Sequence, residues 1–250
     1  MALSYSYVLQ KNVNQQPMAR PPTKQIRLQG PTPVATETQF LGATPSNPNI
    51  FLLSPADSSG RRGRMLVNPK SQFELAQRLR TTGITLGEAY SFMSSLYFRG
   101  KLAYAATFSS QSHDMPSIQI ITPTRGLLSP HTAVNLADLA ELGVERILEK
   151  NPRYRDPLER DLRKLSESLG TDGKVIFLGS LGTKRYIPLL KEILGHRILI
   201  PRDFLGMGNM QRGAVLLRCV REHRQLTYVT LADTEIMRRQ KPASSKGQRT

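Results

Sequence analysis

Short, nearly continuous apolar runs alternate with amphipathic stretches through the second half of the chain. That alternation restricts the fold more than any other feature. Lys174–Leu178 reads KVIFL, with apolar residues at four successive positions. A strand of this kind has both faces covered, as in a parallel sheet held between helical layers. Before it, Leu158, Leu162, Leu165 and Leu169 recur at helical intervals, so the spacing predicts a helix over Pro157–Leu169. After it come a Gly179–Gly182 turn, a helix over Lys184–Leu194 with Pro188 near its start, a strand Arg197–Ile200, a helix Met210–Glu222 and a last strand Leu226–Leu231. The first half fits the same plan. Asn49–Ser54, NIFLLS, reads as a buried strand. SQFELAQRLR reads as a helix, with Ser71 and Glu74 as its capping box. Thr85–Phe108 is helical, and Gly100 is expected to divide it. Ser117–Ile121 is a strand and Ala133–Glu141 a short helix. Strands separated by helices need crossover connections. The expected class is α/β: a three-layer domain with a mostly parallel sheet of about four or five strands flanked by helices.

Charge separates this body from its ends. Lys and Arg number 35 against 19 Asp and Glu, a net charge of +16 over 250 residues. Residues 1–46 are rich in Pro, Gln and Thr and lack apolar periodicity, so a disordered tail is expected there. Residues 237–250 carry Arg238, Arg239, Lys241, Lys246 and Arg249 and no acid, and read as a second, basic tail. Between them, 47–236 forms one α/β domain. Flexible cations of this sort are drawn to polyanions by counterion release, so nucleic acid, DNA or RNA, is the expected partner. The five tail cations are its candidate contacts. No apolar run approaches the roughly 18 residues that a membrane span requires, and residues 1–10 lack the regions of a secretory signal. The single cysteine, Cys219, excludes a disulfide framework and a cysteine-cluster zinc site. No membrane partner and no cofactor are expected, and a cytoplasmic location fits.

Ligands of doubly wound sheets bind beyond the carboxyl ends of the strands. Four loops qualify: Pro55–Arg64, Thr122–Pro130, Gly179–Thr183 and Pro201–Gly213. In the first, Ser58, Ser59, Arg61 and Arg62 suit a phosphate or another anion, and Asp57 is the one carboxylate able to act as a base or to bind a ribose. Arg125, Ser180 and Arg212 are the corresponding candidates in the other three. A solvated turn with charged flanks is the competing reading of each. GSLGTK lacks the spacing of a phosphate-binding P-loop, and Gly206, Gly208 and Gly213 miss G-x-G-x-x-G. The four histidines have no metal-ligand spacing, and G-x-S-x-G is missing. The aromatic segment Tyr90–Phe108, interleaved with Arg99 and Lys101, suits either base contacts or helix-to-sheet packing.

FLLSPADSSGRR, LYFRGKLAYA and IITPTRGLLSP follow one another in a distinctive order. Over 51–131 this layout resembles the peroxide-stress YaaA-like family and related bacterial proteins of uracil-DNA-glycosylase-like architecture. The resemblance falls on Ser54, Pro55, Ala56, Tyr97, Gly100, Gly126, Leu127, Leu128 and Pro130. It implies DNA binding or work on nucleobases. A Lys commonly follows SPA in that family, whereas Asp57 stands here. Three functional readings follow. The first is a nucleic-acid-associated protein binding through its basic body and tails. The second is an enzyme acting on a nucleotide or nucleoside, with N-glycosidic chemistry assisted by Asp57. The third is a protein-interaction module that uses the N-terminal tail. Composition favours the first.

Overall fold

Strand β1 (Asn49–Leu53) lies inside a sheet of six strands, and its alternating side chains feed two separate cores. The computed structural model describes residues 49–94, 96–109, 115–144, 151–169, 172–180 and 185–234. After β1 come α1 (Arg61–Val67), α2 (Glu74–Thr81), β2 (Ile84–Thr85), α3 (Leu86–Ser94) and α4 (Leu96–Phe108). Then follow β3 (Ile118–Ile121), β4 (Leu127–Leu128), β5 (Ala133–Val134), α5 (Leu136–Val144) and α6 (Pro152–Ser168). The chain continues through β6 (Lys174–Leu178), α7 (Ile187–Leu194), β7 (Ile198–Pro201), α8 (Asn209–Arg221) and β8 (Tyr228–Thr230). Both expected tails lie outside the described residues.

The strand order is β4-β3-β1-β6-β7-β8. β3, β1, β6 and β7 are mutually parallel, while β4 and β8 pair antiparallel at the two edges. The fold is thus α/β as expected, but the sheet is mixed and six-stranded rather than mostly parallel with four or five strands. The reason is local. β4 has two residues and β8 three, too few to show periodicity, and the tip of the β3–β4 hairpin is closed by Thr122 N–H donating to the Gly126 carbonyl at 2.8 Å. A second, two-stranded sheet joins β2 to β5.

Phe51 and Leu53 face one way, with Ile120, Ile176 and Leu178, against Tyr90, Phe98, Tyr104 and Leu216 of α3, α4 and α8. Ile50 and Leu52 face the other way, with Val175 and Phe177, against the Leu158–Leu162–Leu165 stripe of α6 and Leu189, Leu190 and Leu194 of α7. The sheet therefore lies between two helical layers. Each such side chain contributes about 1.5–3 kcal/mol when fully buried, which is why the KVIFL run needs both layers.

Several helices depart from their expected limits. Gly100 does not divide the aromatic segment, because α4 runs straight through it. α6 starts at Pro152 rather than Pro157, since the Asn151 side chain accepts from Arg153 N–H and caps the earlier turn. The box expected at Ser71 and Glu74 does not form; the Ser71 hydroxyl donates instead to the Met65 carbonyl at 2.6 Å. A reciprocal box forms at α3, where Glu88 accepts from Thr85 N–H at 2.8 Å and Thr85 Oγ1 accepts from Glu88 N–H at 3.2 Å.

Candidate functional site

From β1 the chain passes to β3 on one side and later fills β6 on the other. The two crossovers diverge there, and in sheets of this kind ligands bind outside the carboxyl ends of the strands at such a point. Ser54 and Ser180 stand just beyond the carboxyl ends of β1 and β6, and Ser54 N–H reaches the Leu178 carbonyl at 3.3 Å.

The loop after β1 is organised by its own side chains. Asp57 is exposed, and its Oδ1 accepts from Ser59 N–H at 2.9 Å and from Ser59 Oγ at 2.6 Å. This Asx turn ties Asp57 and Ser59 to the shape of the loop. Ser58 is half-buried, and its carbonyl lies so close to Gly63 that a Cβ there would fall 1.9 Å away. Arg61–Arg64, expected to be loop, forms the first turn of α1. Arg61 is exposed. Arg62 donates to the Phe92 carbonyl at 3.1 Å and lies 5.3 Å from the centroid of that ring, and Arg64 donates to the Ser59 carbonyl at 2.6 Å.

Arg125, in the loop after β3, turns onto α5. Its guanidinium pairs with Asp138 at 2.8 Å and is also held by Glu141, which holds both carboxylates below their ordinary range. For Asp138 the backbone hydrogen bond from Asn135 is the larger cause; for Glu141 it is Arg125 itself. Arg125 is thereby engaged by two carboxylates, whereas Arg212 is not. Arg212 is buried, donates to the Phe204 carbonyl at 3.1 Å and stacks over that ring at 5.4 Å. The five cations of the C-terminal tail lie outside the described residues, as do Leu181–Lys184.

Beside Arg212 lies a residue that the loop rule does not select. Lys101, on α4, is 1% exposed. Its Nζ donates to the Ser54 carbonyl and to Ser54 Oγ at 3.0 Å. It also lies over the rings of Tyr97 and Phe98, at 4.7 and 4.8 Å from their centroids. Burial, aided by the charge of Arg212, pulls its ammonium down to about 7. Neither Lys101 nor Arg212 makes an ion pair among the described residues. The Tyr97 hydroxyl and the Arg212 guanidinium lie within reach of each other, and beyond that contact neither the hydroxyl nor Arg212 Nε has a hydrogen-bond partner among those residues. Burial pushes the Tyr97 phenol up, and the nearby Arg212 guanidinium partly counters this.

Two glycines create this cluster. A Cβ on Gly100 would fall 2.9 Å from the Gly213 carbonyl oxygen, and one on Gly213 would fall 2.9 Å from that of Leu96. α4 and α8 therefore touch backbone to backbone, and the residues beside those glycines, Lys101 and Arg212, are carried to one place. Helical spacing does hold a signal for Lys101. Tyr97, Lys101, Tyr104 and Phe108 form one stripe, so a cation occupies a core position. Among the described residues no group of three His, Cys, Asp or Glu is placed to hold a metal ion, and no helix is long and apolar enough to cross a membrane. No protein-family model, curated protein or solved structure matches the chain.

Proposed function

We propose that the protein binds nucleic acid, DNA or RNA, mainly through phosphate contacts made by its basic surface and tails. The observation that carries this reading is α1. It presents Arg61, Arg62 and Arg64 on the surface directly after the central strand, and none of the three makes an ion pair among the described residues. Two of them are held by carbonyl oxygens, which orient a guanidinium without neutralising it. Residues 58–73 contain no acid at all. Cations of this kind release condensed counterions when they meet a phosphate backbone, and they position a protein without reading bases. The net charge of +16 and the YaaA-like layout over 51–131 point the same way.

Labelled duplex and single-stranded DNA and RNA, titrated at several salt concentrations, test the reading. Binding is expected to weaken steeply with salt, alike for all sequences. Replacing Arg61 and Arg64 with Ala should flatten the slope of log K against log salt by about 2 units on duplex, at about 0.9 per lost contact. No binding to any of these probes at low salt, where the electrostatic contribution is greatest, overturns it.

A further inference from the structure

We propose that Lys101, Arg212, Tyr97 and Ser54 form a separate site for one phosphate monoester dianion, either free phosphate or the phosphate of a small nucleotide. It goes beyond nucleic-acid binding, because a buried site at the switch point is not needed for surface contacts to a backbone.

Three observations converge on it. The first is charge. Two cations share one interior place with no carboxylate against either among the described residues. Like charges so placed are mutually unfavourable, and a dianion between them reverses the sign of the interaction. The second is unused donors. Lys101 has three N–H groups and directs two of them to Ser54. Tyr97 and Arg212, both more than nine-tenths buried, lie against each other, and beyond that contact neither the Tyr97 hydroxyl nor Arg212 Nε has a partner among the described residues, which leaves the Tyr97 O–H to donate. Donors arriving from α4 and α8 in different directions suit the tetrahedral oxygens of phosphate better than a planar carboxylate, which is matched by one fork of parallel N–H groups. The third is position. The cluster lies at the carboxyl ends of β1 and β6, where doubly wound sheets bind ligands. Ser54, Tyr97 and Arg212 keep 6, 6 and 8% of their surface against 1% for Lys101, so Lys101 is the deepest of the four.

The experiment uses the full chain in phosphate-free buffer. Isothermal calorimetry and thermal melting are recorded with inorganic phosphate, adenosine 5′-monophosphate and acetate. Saturable one-to-one binding of phosphate is expected, with a rise in Tm of about 5–10 °C at a ligand concentration of about 100 Kd. K101M and R212M should each lose at least about tenfold in affinity, about one decade in Kd. R61A/R64A should keep phosphate binding while losing salt slope on duplex, which separates failure of this site from failure of the surface reading. Adenosine monophosphate binding more tightly than phosphate assigns a nucleotide, and equal affinity assigns free phosphate. The proposal is overturned if the wild-type chain binds neither up to about 10 mM, if acetate binds as tightly as phosphate, or if both single variants bind as the wild type does. Should K101M not fold, the wild-type titration and R212M still decide it.

Discussion

Lys101 is the residue at which the energetics are most exposed to test. Its ammonium is held at about 7 in the folded chain, against 10.5 for the unperturbed side chain. Burial is the first cause and Arg212 the second. Between those two values the unfolded chain binds the extra proton, so stability rises with pH across the window and levels off above it. The whole span amounts to several kcal/mol, about 1.36 kcal/mol for each unit of displacement. Arg212 from α8, Tyr97 from its own helix and Ser54 from the sheet are the charged or polar groups that face it. Tyr90, Tyr104 and Tyr228 are pushed up by burial and act with the opposite sign once unfolded tyrosines ionise, near pH 10. Cys219, pushed up by burial as well, also opposes the rise once unfolded thiols ionise at about pH 8.5, so urea unfolding between pH 7 and 8 isolates the lysine. The wild-type midpoint should climb over that range and that of K101M should stay nearly level. A level wild-type midpoint would contradict the assignment.

At the scale of the element, the α4–α8 contact depends on what Gly100 and Gly213 lack. Alanine at Gly100 would gain about 1 kcal/mol of helix propensity. Against this stands a methyl group 2.9 Å from the Gly213 carbonyl oxygen, and overpacking against backbone costs about 1–3 kcal/mol or more. The net expectation for Gly100→Ala is a loss of about 1–2 kcal/mol on these two figures, together with weaker phosphate binding, since Lys101 and Arg212 move apart. A midpoint raised by the substitution would show that the helices do not meet closely. The start of α3 offers a simpler case. Thr85 and Glu88 satisfy each other's backbone donors, so Thr85→Ala should cost about 1 kcal/mol, within the usual range for a lost cap. Glu88 is held below its ordinary range, with the Thr85 backbone hydrogen bond as the first cause. Its contribution is present above the unfolded carboxylate range and is lost as pH falls through the lower folded value. Chemical denaturation at pH 7 and near pH 3 measures both effects.

For the molecule as a whole, charge decides the behaviour. Arg238, Arg239, Lys241, Lys246 and Arg249 lie close together in sequence with no acid among them. If they make about three to five phosphate contacts, deleting Arg238–Thr250 should flatten the salt slope by roughly 3–4 units, at about 0.9 per contact. Affinity should fall equally for every sequence tested, because contacts to phosphate carry no base information. A deletion that leaves the slope unchanged would confine binding to the body. The N-terminal 46 residues belong to a different question. Residues 1–46 are rich in Pro, Gln and Thr and lack apolar periodicity, so removing them should leave the cooperative thermal transition nearly where it was.

Periodicity was enough to specify the α/β class, the central strands and the leucine stripe of α6, because burial on two faces or on one helical stripe leaves a repeating mark in the chain. It was also enough to direct attention to the loops beyond β1, β3, β6 and β7. It could not supply β4 or β8, whose two and three residues contain no full repeat. Nor could it say which candidate cation was already engaged. Arg125 and Arg212 look alike in sequence, each beside a glycine in a loop region. Only the packing of α5 brings Asp138 and Glu141 to the first, and only the glycine contact between α4 and α8 withdraws the second into the interior beside Lys101. Local pattern records which side of an element is buried. The identity of the groups that meet there is set by contacts between separate elements, as distant in sequence as Lys101 on α4 and Arg212 on α8, and those arise only when the helices close on the sheet.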